Sequence, residues 1–391
     1  MKLRATELGG SFDLLAGYAP GGFAFEREGL GVSGIGVARA AAADEVMEAL
    51  DEVSSGSEPA PVAVGALGWA GEGKLTIPAH AVVRRAPGPA WLLSLTDDEP
   101  EWRGRALPGP PSEPFGDVQL HAEPEPVEYA RAVEEAVARI SAGEARKVVL
   151  ARSVVVEAGR ELDPRALLAR LRAVDPSCYA FAAPTDAGDL VGASPELLVA
   201  RRGREVRANP LAGSAPRAGD PAADRASAGR LVASAKDREE HRHVAEAVRD
   251  VLEPLCEELA FPGEPGVTGT ATVWHLSTPF RGVLREPSPS ALDLARLLHP
   301  TPAVGGAPRE AAVALLRELE PIERGAYAGP VGWVDGSGDG EWAIALRCAE
   351  IAGRTARLFA GAGIVAASEP ELEVAETERK FRAFLDSLRW G

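Results

Sequence analysis

Lysine is scarce in this chain: five of its 42 basic residues are lysines and 37 are arginines. Three of the five stand in its densest groups of acidic and apolar residues. Lys147 opens the apolar run Val148-Val149-Leu150-Ala151, Lys236 precedes Asp237, Glu239 and Glu240, and Lys380 follows Glu373, Glu376 and Glu378. A GC-rich coding bias accounts for the scarcity but not for the placement. Arginine cannot lose its proton inside a protein and lysine can, so these lysines are candidates for a general base or a point charge.

Glu196 is the matching candidate acid. It lies between Pro195 and the apolar run Leu197-Leu198-Val199. Burial there raises a carboxyl pKa, and desolvation lowers that of a lysine, so environment alone could make an acid–base pair of Glu196 and Lys147. The local sequence is equally consistent with a strand-end lysine snorkelling to water and a glutamate on a solvated strand edge.

A second chemistry is open to the acids. Ser234 reads as the cap of a helix with the buried stripe Val244, Val248, Val251 and Leu255, and stepping back along it reaches Glu240 and Asp237. Pro370, two residues after Ser368, opens another helix. Its stripe of Phe381, Phe384, Leu385 and Leu388 traces back to Thr377 and Glu373, with Glu376 and Lys380 alongside. Acids on the margin of a buried face are costly unless paired or bound to a cation. Paired, Glu376 and Lys380 are an ordinary i,i+4 contact. As a set with Glu240 and Glu373, the all-oxygen donors suit Mg²⁺.

These groups need a frame. A helix over Val127–Ala142, ended by Gly143, leads to the Lys147 strand. A helix over Pro164–Val174 precedes paired strands at Cys178–Phe181 and Leu190–Val199. Asn209–Arg217 reads as a turn, in which Gly213 and Ser214 could bring backbone N–H groups to an anion. Trp274–Thr278 reads as a strand, His275 being by default a satisfied core histidine. His299–Gly306, with Thr301 and Ala303, is a Pro/Gly loop before a helix over Arg309–Leu319. Glu323–Trp333, with Tyr327, leads into a hairpin whose return strand is Glu341–Ala349. Both faces of that strand are apolar, so Arg347 is expected to be buried and to need an anion, which a substrate carboxylate would supply bidentately. Leu358–Val365 is a strand whose Gly361 and Gly363 invite close backbone approach. Residues 1–104 read as scaffold, with one helix over Ala43–Val53, and 105–126 as an extended Pro/Gly-rich connection.

Bulk properties narrow the classes. A net charge of −16 repels nucleic acid phosphates and anionic membrane surfaces. Cys178, Cys256 and Cys348 give neither a disulfide framework nor a zinc spacing. The start has no apolar signal region and no apolar run is long enough to span a bilayer, so a cytoplasmic protein is expected.

In unbroken order over residues 125–388, these segments resemble the chorismate-utilising family, which includes isochorismate, salicylate, anthranilate and aminodeoxychorismate synthases. Leu211-Ala212-Gly213-Ser214 resembles the loop of isochorismate synthases, with Ala212 where aminodeoxychorismate synthases carry a nucleophilic lysine. Ser214 replaces a threonine common elsewhere in the family. The resemblance implies an α+β fold: a single large domain over residues 1–391, two mainly antiparallel β-sheets packed face to face with outer helices, and the active site in the cleft between them. Residues 1–125 would be its N-terminal scaffold portion and 126–388 its chorismate-binding portion. It further implies Lys147 as general base on water and Glu196 as general acid for the leaving hydroxyl. Mg²⁺ would be held by Glu240, Glu373 and Glu376, and chorismate contacted by Gly213, Ser214, His275, Thr301, Ala303, Tyr327, Arg347, Gly361 and Lys380. The expected activity is Mg²⁺-dependent isochorismate formation by a monomer with no amidotransferase subunit. Salicylate synthesis, which adds pyruvate elimination, is the alternative, and the sequence leaves open whether the product feeds a catechol siderophore, salicylate or menaquinone.

Overall fold

The computed structural model describes residues 3–10, 12–53, 59–100 and 117–388, with side chains through Asp386 apart from Ala383. Residues 105–116 of the expected connection and the Leu388 side chain fall outside the described residues. Among those described, every strand pairing is antiparallel. A twelve-stranded sheet runs from Arg4–Leu8 at one edge through Tyr179–Thr185, Gly188–Ser194, Cys348–Ala352 and Thr355–Ile364 to Lys147–Ala158. A nine-stranded sheet contains Leu197–Arg202, Glu205–Asn209, Gly340–Ile344 and Pro330–Asp335.

Apolar residues on the facing sides of the two sheets form the main core. Phe25, Phe181, Leu190 and Phe359 of the larger sheet pack in one cluster with Val64, Val199, Trp342 and Ile344 of the smaller. Helices cover the outer side of the larger sheet. Pro164–Val174 and Pro370–Leu388 bury Leu167, Leu168 and Phe381, while Pro126–Ser141 and Arg309–Leu319 bury Tyr129, Val133, Leu315 and Leu316. This is the α+β arrangement with two facing sheets that the sequence implied. The helices start where their caps dictate. Asp163 accepts from Arg165 N–H ahead of Pro164, and Ser234 accepts from Asp237 N–H at 3.2 Å, each cap being worth about 1 kcal/mol.

The structure departs from the sequence reading in three places. Leu211–Pro216, expected as a turn, is a strand of a third sheet with Val273–Ser277 and Gly266–Gly269. Its glycine, alanine and serine content suggested a loop, but Gly213 instead supplies a bulge at φ +72°, a conformation open to glycine at little cost. The expected continuous strand Leu190–Val199 breaks at Pro195-Glu196, where the chain leaves the larger sheet for the smaller. The expected strand Glu341–Ala349 breaks likewise at Ala345–Arg347, where the chain crosses back. Arg347 takes φ +48° at that crossing. The two crossings are joined, since Ile344 N–H donates to Glu196 O and Ala193 N–H to Arg347 O, both at 3.2 Å.

Candidate active site

The Lys147–Ala158 strand turns Lys147 toward the smaller sheet, where it is 3% exposed. Its Nζ donates to Glu240 Oε1 at 2.6 Å, so the amine is desolvated and paired and does not snorkel to water. Glu240 is brought there by the Ala235–Leu252 helix, which buries Val244, Val248 and Leu252. Both side chains lie over Gly363, where a Cβ would stand 3.0 Å from Lys147 Cε and 3.1 Å from Glu240 Oε1. A side chain there would make both give way by a few tenths of an ångström. Two positions back on the same strand face, Gly361 O accepts from Lys380 Nζ at 2.7 Å, and a Cβ at Gly361 would lie 3.5 Å from the Tyr327 hydroxyl. Gly361 and Gly363 thus form a bare floor under both lysines. Their spacing of two was visible in the sequence, and it marks Gly363 as a candidate site residue that the resemblance did not supply.

Glu196 occupies the first sheet crossing, 3% exposed. Burial pushes its carboxyl up to about 8, against the Leu211 N–H and the charge of Lys147. At neutral pH it is therefore protonated and able to donate. Ser194 Oγ, not anticipated from sequence, accepts from Glu196 N–H at 3.3 Å and fixes the turn.

Arg347, at the second crossing, is partly buried, and desolvation lowers its pKa. Among the described residues it forms no ion pair; its Nη2 meets His275 Nε2 at 2.8 Å, and His275 Nδ1 lies 3.3 Å from Gly213 O. Burial and the adjacent guanidinium push His275 down to about 3, so the ring is neutral, donates from Nδ1 and accepts at Nε2. His275 therefore acts first as a strut between Gly213 and Arg347. A guanidinium held by one neutral acceptor retains free donors for a carboxylate. Replacing Arg347 by lysine removes the planar fork, so the KM for a carboxylate substrate is expected to rise with the fold intact; steady-state kinetics with circular dichroism checks this, and an unchanged KM tells against it.

The structure brings together Lys147, Glu240, Glu196 and the Gly361/Gly363 floor, and it joins Arg347, His275 and Gly213. Ala303 is partly exposed, while Tyr327 is buried and stacked on Phe359 at 5.0 Å. Ser214 faces His275 across the strand pairing, but the side chains of Ser214 and Thr301 hydrogen-bond to none of these among the described residues. Ser214 is exposed, and Thr301 is buried with its hydroxyl unpaired.

The carboxylates expected to hold a metal are arranged differently from a preformed cage. Among the described residues no three His, Cys, Asp or Glu side chains gather closely enough to bind an ion as they stand. Glu240 is engaged by Lys147, and Glu376 by Lys380 at 2.8 Å. The donor chemistry nevertheless fits a hard divalent cation. Burial and the neighbouring Glu376 push Glu373 up, against the Ser368 hydroxyl. Burial works against Glu376 too, but Lys380 outweighs it and holds that carboxyl down. Lys236 also lies within the field of both acids. Lys147 thus offsets Glu240, while Lys236 and Lys380 offset Glu373 and Glu376, which is the charge a cation would replace.

Comparison with known proteins shows the family. The family model described as chorismate binding enzyme matches residues 100–389. The isochorismate synthase DhbC of Bacillus subtilis (strain 168) is 46% identical over 272 residues, 68% of this chain and 68% of that protein. The isochorismate synthase EntC of Escherichia coli (strain K12) is 44% identical over 270 residues, 69% of each chain. The solved structure of MenF, the menaquinone-specific isochorismate synthase from Escherichia coli, superposes with a TM-score of 0.87 at 25% identity, covering 99% of this chain and 95% of that one. The chain belongs to the chorismate-binding enzyme family.

Proposed function

We propose that this protein is an isochorismate synthase, converting chorismate to isochorismate with Mg²⁺ as cofactor. Supporting this most directly is the pairing, in one cleft, of a buried lysine with a buried carboxyl that is protonated at neutral pH. Water attacks ring C2 as the C4 hydroxyl leaves and the double bonds shift, so no electrons are gained or lost overall. In this reading Lys147 accepts the proton of the attacking water and Glu196 delivers one to the departing hydroxyl, so the substrate neither gains nor loses a proton. Arg347, held by His275, orients a substrate carboxylate; Gly361 and Gly363 let the ring lie close to both lysines; Tyr327 and Ala303 line the pocket. A hard cation held by Glu240, Glu373 and Glu376 would neutralise the ring carboxylate.

No helix among the described residues is long and apolar enough to cross a membrane. The reading is of a cytoplasmic monomer working without an amidotransferase subunit, with residues 126–388 carrying the chemistry. Incubating the purified protein with chorismate and Mg²⁺ and separating the products by chromatography tests the assignment. Isochorismate is expected. Salicylate and pyruvate accumulating without the lag of spontaneous decay would mark the salicylate-forming reaction instead, and no conversion would overturn both.

A further inference from the structure

We propose that Glu320 and Arg324 are positioning residues for this reaction, forming a buried clasp that sets the strand of Lys147, the loop of Ala303 and the turn of Tyr327 against one another, with Trp69 of the N-terminal portion as its fourth point. The proposal rests on the functional reading of Lys147, Ala303 and Tyr327 above.

The clasp fills a specific gap. On its outer edge the Lys147–Ala158 strand pairs with Gly306–Ala307 at Lys147 and Val148, and with Val118–Glu123 from Ser153 onward. Between these the strand has no partner strand among the described residues, and its backbone polar groups are buried and must be satisfied. Val149 N–H reaches Gly305 O at 2.9 Å. The Val149 carbonyl accepts from Arg324 Nη2 at 2.5 Å, and Ala151 N–H donates to Glu320 Oε2 at 2.9 Å. A side-chain ion pair thus stands in for the missing strand, offering one donor and one acceptor at the spacing a neighbouring backbone would.

Both side chains are almost wholly buried, 2% exposed for Arg324 and 6% for Glu320. The pair is bidentate: Nε to Oε1 at 2.6 Å and Nη2 to Oε2 at 2.7 Å. Nη1 donates to Val304 O at 2.8 Å, and the Arg324 carbonyl accepts from Tyr327 N–H at 2.9 Å. The guanidinium carbon sits 4.0 Å from the centre of the Trp69 ring. Trp69 N–H donates to Gly325 O at 2.9 Å, and Trp69 O meets His299 Nε2, also at 2.9 Å.

Each contact falls close to a group placed in the site. Val149 is two residues from Lys147, Val304 adjoins Ala303, and Tyr327 hangs directly from Arg324. Misplacing a reacting group by about 1 Å can cost roughly 10²-fold in rate, so a loosened clasp registers in catalysis even where the fold survives. The N-terminal portion, through Trp69, becomes a working part of the site.

The test compares Arg324→Lys, Glu320→Gln and Trp69→Phe with the native protein, measuring kcat and KM per folded molecule well below the unfolding midpoint. Arg324→Lys keeps the charge but loses the fork and is expected to lower kcat by roughly 10–10²-fold. Combined with Lys147→Ala, the same change is expected to cost clearly less than it does alone, because the share of the loss that comes from a misplaced base is already gone. A purely structural pair would lower the unfolding midpoint while leaving kcat per folded molecule unchanged, or would give losses that multiply with Lys147→Ala; either result overturns the clasp. Should Arg324→Lys fail to fold, Trp69→Phe carries the same test, with a smaller expected loss of kcat that likewise shrinks beside Lys147→Ala. A native protein that does not convert chorismate overturns the functional reading, whereas an active native protein with unaffected variants overturns the clasp alone.

Discussion

Lys147→Ala is expected to lower turnover by roughly 10²–10⁴-fold, the usual contribution of a positioned base, with the fold unchanged by circular dichroism. Removing the amine also leaves Glu240 without its 2.6 Å partner, so part of the loss could come from a displaced carboxylate. Lys147→Arg separates the two effects. It restores a cation beside Glu240 but cannot give up a proton at neutral pH, and it is expected to remain as inactive as the alanine variant. An active arginine enzyme would remove lysine from the base role. Glu196→Gln is expected to be comparably impaired, because an amide can hydrogen-bond the leaving hydroxyl but cannot protonate it. The pH profile gives an independent reading. In the proposed mechanism the working form of Glu196 is the acid, and burial pushes its pKa up to about 8, so native activity should hold at neutral pH and fall as pH rises through about 8. The residual activity of Glu196→Gln should lack that alkaline fall.

Excess EDTA is expected to abolish turnover and added Mg²⁺ to restore it. The basis is electrostatic: Glu240, Glu373 and Glu376 are half-buried or buried, and two of them are neutralised by lysines. Glu240→Gln or Glu376→Gln should raise the Mg²⁺ concentration for half-maximal rate by at least the roughly 10–100-fold that losing even an outer-shell partner costs. A metal titration of rate for each variant measures this, and full activity in chelator would refute the metal assignment.

Much of the frame was legible because local signals agreed with the global fold. The helices Pro164–Val174 and Arg309–Leu319 have the expected bounds, and the Lys147 strand begins at the lysine. Asp163 and Pro164 announce the first helix, and β-branched residues announce the strand. The two sheet crossings were illegible for a physical reason. Apart from Ser194, the residues flanking Pro195-Glu196 and Ala345–Arg347 are apolar and buried, so periodicity runs on almost undisturbed through the break. Glu196 and Arg347 stand out in the sequence as residues, but not the geometry that places them at the crossings. Gly213 was recognised as permissive, yet a bulged strand and a turn demand the same residue. The Glu320–Arg324 pair was hidden more deeply: i,i+4 acid–base spacing is commonplace on solvated helices, and only the gap in strand pairing gives it significance.

The paired crossings bear on how the cleft can move. If the two sheets open and close like the covers of a book, the spine is where the chain passes from one cover to the other. Glu196 and Arg347 both sit on that spine, tied by the Ile344–Glu196 and Ala193–Arg347 backbone hydrogen bonds. Points on a spine keep their separation however wide the covers swing. The proton donor and the carboxylate anchor would then hold a constant spacing throughout a catalytic cycle, while Glu240 and Lys380, carried on separate helices, travel with the covers. Substrate entry could loosen the grip on the metal side of the ring without disturbing the distance from acid to anchor.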